Sequence, residues 1–305
     1  MEIRQIELFL RIAELGSINK AAAELRMSQP SLSRWLALLE REIDAQLFVR
    51  TRQGIRLTDA GQLLAERARP LLRQFDLLKE DVGNKSVRQV NLALPFSMQG
   101  MVTAPFAERI LRGKPDTSLR IYEGINNAIR QWMENGLLDA AVIVETERVP
   151  DSFSSTALLQ ENLVLVGGRE AGLRLDEPVP LARLDNLPII LPGPPNAISA
   201  QVENTLRRAG YQYNNIFEAE VLSLCLDLAR RDLGFTVMPY CALHDRLGPD
   251  SLLTAAPIER LHVLWRLCIN RSRAYAVANR AIVDMLVAFI RDRVASGEWQ
   301  FAKML

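Results

Sequence analysis

The tightest constraint on this 305-residue chain lies in its first sixty residues, where two short helical segments are separated by only three residues. Ile6, Phe9, Leu10 and Ala13 recur at helical spacing and give the opening segment one apolar face. Gly16 ends that helix and Ser17 caps the next. The second helix reads INKAAAEL, whose alanines favour helix and let a neighbour approach closely. Arg26-Met27-Ser28 predicts a short turn, with Ser28 as a second N-cap. Pro30 falls in the first turn of a third helix, where its missing N–H costs little. That helix runs to about Ile43 on an apolar stripe of Leu32, Leu36, Leu39 and Ile43. Its opposite face carries Gln29, Ser31, Ser33, Arg34 and Arg41.

The next segment, LFVRTRQGIRLT, reads as two short strands around Gln53-Gly54, a hairpin signal. From Ala45 to Thr58 it holds Arg50, Arg52 and Arg56 and no acid. Composition sharpens this point. The whole chain carries a net charge of only +1, which excludes a generally basic nucleic-acid binder. The balance is +3 over residues 1–90 and −2 over the rest, so any anion-binding surface is local to the N-terminal part. Two helices joined by a short turn and followed by a basic hairpin describe a winged helix-turn-helix, whose second helix enters the major groove of DNA. Gln29 suits adenine and Arg34 suits guanine, each by two hydrogen bonds, and the serines reach bases or phosphates. The competing reading is an ordinary helical hairpin with a polar surface, and the adjoining basic hairpin disfavours it.

From Asp59 to about Val87 the pattern predicts one long helix. Leu64, Leu71 and Leu78 alternate with Ala68, Phe75 and Val82 in a four-three spacing, the seam of a coiled coil. Pro70 interrupts the run and predicts a bend. From Val90 the periodicity changes to strands alternating with helices: VNLALPF, SLRIYEG, LDAAVIV, ENLVLVGG, LPIILPG, IFEAEV, GFTVMPY and LHVLWRLCIN, with a closing helix from about Tyr275 to Ala295. Such alternation predicts an α/β domain with largely parallel sheets. Some 215 residues are many for one sheet, so two subdomains are expected.

Signatures of catalysis are missing from the sequence: there is no GxGxxG after a strand, no GxxxxGK[ST], no HExxH and no GxSxG. His244 and His262 have no metal-ligand spacing with each other or with a cysteine. Cys225, Cys241 and Cys268 are widely spaced and read as reduced thiols of a cytoplasmic protein. The N-terminus is charged throughout its apolar part and reads as no signal peptide, and no window is long and apolar enough for a membrane span.

The residues Phe9, Gly16-Ser17, Ala21-Ala22, Leu25, Ser28-Gln29-Pro30, Ser33, Leu39-Glu40, Leu47-Phe48, Arg50, Leu57-Thr58 and Ala60-Gly61 make the N-terminal part resemble a LysR-type transcriptional regulator. Weaker marks follow at Pro105, Glu123-Gly124, Gly136, Leu138-Asp139 and Gly234 through Pro239, so the resemblance covers essentially the whole chain. LFVRTRQGIRLT and LLQENLVLVGG make it most similar to the nitrogen assimilation control type. The chain departs from the family pattern at Trp35 and at Arg230-Arg231-Asp232.

The resemblance implies an α/β effector domain of two periplasmic-binding-protein-like subdomains, preceded by an all-α winged helix-turn-helix domain and a long linker helix. The expected boundaries are 1–58 for the DNA-binding domain, 59–88 for the linker and dimerisation helix, and 89–305 for the effector-binding domain. Within the last, subdomain I takes 89–162 and 267–305 and subdomain II takes 163–266, with crossings near Glu161–Leu163 and Trp265–Asn270. The expected function is a sequence-specific transcriptional regulator that answers a small-molecule effector and is not an enzyme. The alternative is a small-molecule binding protein or an enzyme with an accessory DNA-binding domain. Expected partners are an inverted-repeat site on double-stranded DNA, a second copy of the chain in a homodimer or homotetramer, RNA polymerase, and a small polar metabolite, anions included. Neither a cofactor nor a metal is expected.

In the DNA surface, Gln29, Ser31, Ser33 and Arg34 would read bases, and Arg50, Arg52 and Gln53 would hold the backbone or minor groove. Ser17, Asn19, Lys20, Ser28, Pro30 and Trp35 complete it, Trp35 either touching DNA or packing on the core. The effector site is expected just beyond the C-terminal strand ends. That selects Ser97, Met98 and Gln99; Gly124, Ile125 and Asn126; Asn196 and Ser199; Val221 and Ser223; and Pro239 and Tyr240. Asn126, Asn196 and Ser223 also suit plain helix caps. Leu64, Ala68, Leu71, Phe75, Leu78 and Val82 would pair two chains.

Overall fold

The computed structural model describes residues 2–51, 54–83, 89–113, 118–145, 149–248, 250–272, 274 and 277–305. The side chains of residues 70, 73, 74, 76–83 and 277 also lie outside the described set. The chain divides into two compact units, one built on residues 1–86 and the other on 87–133 and 138–305.

In the first unit, α1 (Ile3–Leu15) buries Ile6, Phe9, Leu10 and Ile12. Gly16 ends it in the left-handed conformation at φ 59°. The Ser17 hydroxyl accepts the Lys20 N–H at the start of α2 (Ile18–Glu24). The turn to α3 (Gln29–Ile43) is closed by Arg26 at φ 53°, and Ser28 caps α3 by accepting the Ser31 N–H. α3 buries Leu32, Leu36 and Leu39. The Glu40 carboxylate then accepts the N–H groups of Leu47 and Phe48 at 2.7 and 3.3 Å and fixes where the hairpin begins. β1 (Phe48–Thr51) and β2 (Gly54–Leu57) pair antiparallel. Gly54 is required here: its φ is 135°, and a Cβ would stand 2.3 Å from the Gly16 carbonyl oxygen, which also accepts the Ile55 N–H. The hairpin is thereby pinned to the α1–α2 turn. Arg52 and Gln53, at its tip, lie outside the described residues. Thr58 caps α4 (Asp59–Gly83), which runs unbroken through Pro70.

The second unit opens with β3 (Gln89–Pro95), a short helical run over 96–103, and α5 (Ala104–Gly113). β4 (Ser118–Gly124), α6 (Asn126–Glu134) and β5 (Ala140–Val144) follow. Two long strands, β6 (Phe153–Gly168) and β10 (Leu253–Asn270), enclose β7 (Ile189–Leu191), α7 (Ala197–Arg208), β8 (Asn215–Glu218), α8 (Leu222–Ala229) and β9 (Thr236–Pro239). α9 (Val277–Ala295) and β11 (Ala302–Met304) close the chain. The main sheet runs β11-β6-β10-β5-β3-β4, with β9 also paired to β6, and β7 and β8 form a second, small sheet.

The expectation of largely parallel sheets is therefore corrected. β3 is parallel to β4 and β5, and β7 to β8, but β6 and β10 are antiparallel to every strand they pair with. The physical reason is that β6 and β10 run through both halves as one antiparallel ribbon, so each carries the chain from one half to the other. β6 changes partners from β11 at Glu161 to β9 at Leu163. β10 has its irregularity between Pro257 and His262, with Arg260 at φ 60°, and reaches β5 at Trp265. Asp139, one of the family marks, accepts the backbone and side-chain N–H groups of Asn91 and locks β3 to β5. Arg230, Arg231 and Asp232 shape the turn after α8, where Arg230 pairs with Asp227 and Asp232 packs against Gly168 at φ 56°.

Candidate functional site

α3 owes its position to the apolar stripe beneath it, and the residues opposite that stripe point outward. Gln29, Ser31 and Arg34 are exposed and Ser33 is half-buried. Gln29 donates to the Ser33 hydroxyl at 2.8 Å, and the Ser28 and Ser31 hydroxyls lie 2.7 Å apart. These bonds hold the polar face in one arrangement while leaving the Arg34 guanidinium exposed. Asn19, Lys20, Ser28, Pro30 and Arg50 are exposed as well, and Ser17 is half-buried at its cap. Trp35 is half-buried and packs against two apolar clusters of the described residues.

On α4 the apolar seam is divided. Ala68 is buried and Leu64 packs with it and with Ala65 against α1's Ile6, Phe9 and Leu10, so these two expected dimer residues are engaged within their own chain. Leu71 is 55% exposed and Leu63 56%. Phe75 is half-buried, and the side chains of Leu78 and Val82 lie outside the described residues.

In the second unit, a cavity of about 580 Å³ opens at the strand ends. That is a size typical of small-molecule sites. It is lined by nine of the twelve expected residues: Ser97, Gln99, Gly124, Ile125, Asn126, Asn196, Val221, Ser223 and Pro239. The other three turn away. Met98 is fully buried in the core, Ser199 gives its hydroxyl to the Pro192 carbonyl at 2.6 Å, and Tyr240 packs edge-on against Phe301. Residue order after a strand locates a loop, but the turn of the helical run decides which side chains face the cleft. Asn196 is a helix cap, its side-chain oxygen accepting the N–H groups of Ile198 and Ser199. Asn126 is no cap: its amide both donates to and accepts from the backbone of Val144, at 3.1 and 3.0 Å, clamping α6 to the end of β5. Ser223 caps nothing and is exposed.

The strand-end rule missed Asn127, Thr236, Glu220, Asp245, Arg246 and Trp265, all of which line the cavity. Asn127 donates across the cleft to the Pro195 carbonyl at 3.3 Å. Behind Trp265 lies Glu161, fully buried at the crossing of β6. Its carboxylate accepts the indole N–H groups of Trp265 at 2.7 Å and Trp299 at 2.8 Å and the Cys241 backbone N–H at 2.8 Å. Burial pushes this carboxyl up to about 7, against the pull of the three donors. A glutamate inside the apolar run LLQENLVLVGG was the available sequence signal. Among the described residues no group of His, Cys, Asp and Glu is arranged to hold a metal ion, and no helix is long and apolar enough to cross a membrane.

Both units match family models. Residues 3–62 match the bacterial regulatory helix-turn-helix protein model of the lysR family, and residues 83–291 match the LysR substrate binding domain. The chain belongs to the LysR family. It is a DNA-binding transcriptional regulator with an effector-binding domain, and the family consists of regulators rather than enzymes. Among its relatives is the nitrogen assimilation regulatory protein nac of Klebsiella aerogenes, 32% identical over 254 residues that span 81% of each chain. The protein of the same name from Escherichia coli K12 is 29% identical over 98% of this chain and 99% of its own. These relatives support the likeness to the nitrogen assimilation control type. Full-length CbnR in complex with its target DNA shares the fold at a TM-score of 0.66, with 21% identity over 96% of this chain and 99% of that one. Full-length OxyR from Pseudomonas aeruginosa does so at 0.67, with 18% identity over 95% of each chain.

Proposed function

We propose that this LysR-family regulator reads an inverted-repeat DNA site through Gln29, Ser31, Ser33 and Arg34 on α3, braced by the hairpin arginines, and that a small molecule in the 580 Å³ cavity modulates that reading. The observation that carries the first part is the exposed, pre-bonded polar face of α3 set over a fully apolar underside. The relative solved on its target DNA supports it by fold. Occupation of the cavity would act by favouring one relative setting of the two subdomains, since a ligand shifts only an equilibrium between states it binds unequally. The chain works as a homodimer or homotetramer in the cytoplasm, acts on transcription through RNA polymerase, and carries no catalysis of its own. We place the domain limits at 1–58, 59–88 and 89–305.

Arg34→Ala is the direct test of the base-reading assignment. The side chain is exposed, so the variant should fold with unchanged stability. Sequence-specific affinity should fall by roughly 1–3 kcal/mol while binding to unrelated duplex stays the same. Fluorescence anisotropy on both duplexes at matched salt separates the two. An equal loss on both would make Arg34 a phosphate contact, and no loss on either would remove it from the interface.

A further inference from the structure

Taking the cavity as the effector site, we propose that Glu161 is its positioning residue: the carboxylate sets Trp265 in the cavity wall and ties that wall to the crossing between the two halves, so that a guest in the cavity is felt at Trp299. Trp265 lines the cavity but is almost wholly buried behind it. Its indole N–H donates to Glu161 Oε2 at 2.7 Å, and Glu161 itself is not part of the lining. The other oxygen, Oε1, accepts two donors from different parts of the fold. The Cys241 backbone N–H, at 2.8 Å, belongs to the turn after β9, where Pro239 and Ala242 line the cavity. The Trp299 indole N–H, also at 2.8 Å, belongs to the turn between α9 and β11 and does not line it. β11 pairs with β6 over Leu159–Glu161 and β9 pairs with it from Leu163 on, so the carboxylate stands where β6 passes from one half to the other. The two oxygens of one carboxylate move together. A guest that displaces Trp265 must carry Oε2 along or break a buried hydrogen bond, and a buried donor left without an acceptor is costly. Glu161 is fully buried, so bulk solvent cannot replace a lost partner. Movement of Oε2 therefore moves Oε1 against Cys241 and Trp299, which links the cavity wall to both sides of the crossing.

Fluorotryptophan incorporated into the full-length protein gives each of its four tryptophans a fluorine NMR resonance, assigned through single Trp→Phe variants. The probe is phenylethanol, an uncharged aromatic molecule suited to a mostly apolar wall. On titration the Trp265 resonance should shift, and the Trp299 resonance should shift with it at the same half-saturation. Glu161→Gln keeps the size of the side chain but turns an amide N–H toward one of the three donors, so a bond of the node is lost. In that variant the Trp265 shift should persist and the Trp299 shift should vanish. Trp265→Phe keeps a ring in the wall and removes the indole N–H, so it cuts the same link from the cavity side and should shrink the Trp299 shift. A wild type in which Trp265 shifts and Trp299 stays silent would overturn the proposal and leave the cavity as the binding site. So would a Trp299 shift that survives unchanged in both variants. No shift of any resonance at millimolar probe would overturn the reading of the cavity itself, and the proposal with it.

Discussion

Glu161→Ala should destabilise the protein by about 4 kcal/mol, because it leaves two buried indole N–H groups and a buried backbone N–H without acceptors. Denaturant unfolding of the full-length protein, followed by tryptophan fluorescence, measures it directly. The same residue makes a prediction about pH. An unfolded glutamate titrates near ~4.3, whereas burial raises folded Glu161 to about 7. Between those values the folded chain holds a proton that the unfolded chain has released. Stability should therefore fall as the pH rises through that window and level off above it. Glu161→Gln removes the titration, so this part of the pH dependence should vanish. A wild type and a glutamine variant with parallel pH profiles would show that Glu161 ionises at its ordinary value.

Placing a charge at Leu71 should abolish pairing of the α4 helices and lower DNA affinity roughly a hundredfold or more, since a dimer gains its affinity by engaging two half-sites at once. Leu71 is more than half exposed within its own chain, so Leu71→Asp should leave the fold of the monomer intact. Sedimentation velocity reads the oligomeric state and anisotropy reads the affinity. A variant that stays dimeric would move the pairing surface off this face of α4. The contrast with Ala68 is informative: a charge there disrupts the packing of α4 on α1 and so should unfold the first unit rather than merely separate two copies.

The N-terminal unit was legible from its residues because each decision there is local. Ser17 and Ser28 cap the helices they precede, Leu32, Leu36 and Leu39 face inward, and Gly54 sits at the hairpin turn. Trp35 was ambiguous in the sequence, and in the structure it is half-buried against two apolar clusters. In the second unit the alternation of strands and helices gave the class of fold but not the ribbon of β6 and β10. The first half of β6, FSSTALLQ, and the start of β10, LTAAPIER, lack an apolar run or a clean two-residue alternation. FSSTALLQ pairs with Leu264–Asn270 and the start of β10 with Val164–Gly168, each across about a hundred residues, and no local pattern encodes it. β11 is three residues long and exists as a strand because Glu161, Gln160 and Leu159 offer it an edge. The cavity was found where strand ends predicted it, yet Asp245 and Arg246 lie well past β9 and enter the lining only through the fold of that loop. On α4 a heptad pattern does not by itself say whether the covering surface is a partner or the chain's own α1, against which Leu64 and Ala68 pack.

The proposed function requires the first unit to read sequence as a two-fold pair. Selection of bound duplexes from a random-sequence pool by the full-length protein, at physiological salt and followed by sequencing, tests this most directly. The expected result is enrichment of an inverted repeat whose half-sites lie about one helical turn apart, roughly 10 bp centre to centre, with the enrichment lost in Arg34→Ala. Retention that weakens with salt but enriches no sequence would contradict it, because α3 would then contact only the phosphate backbone.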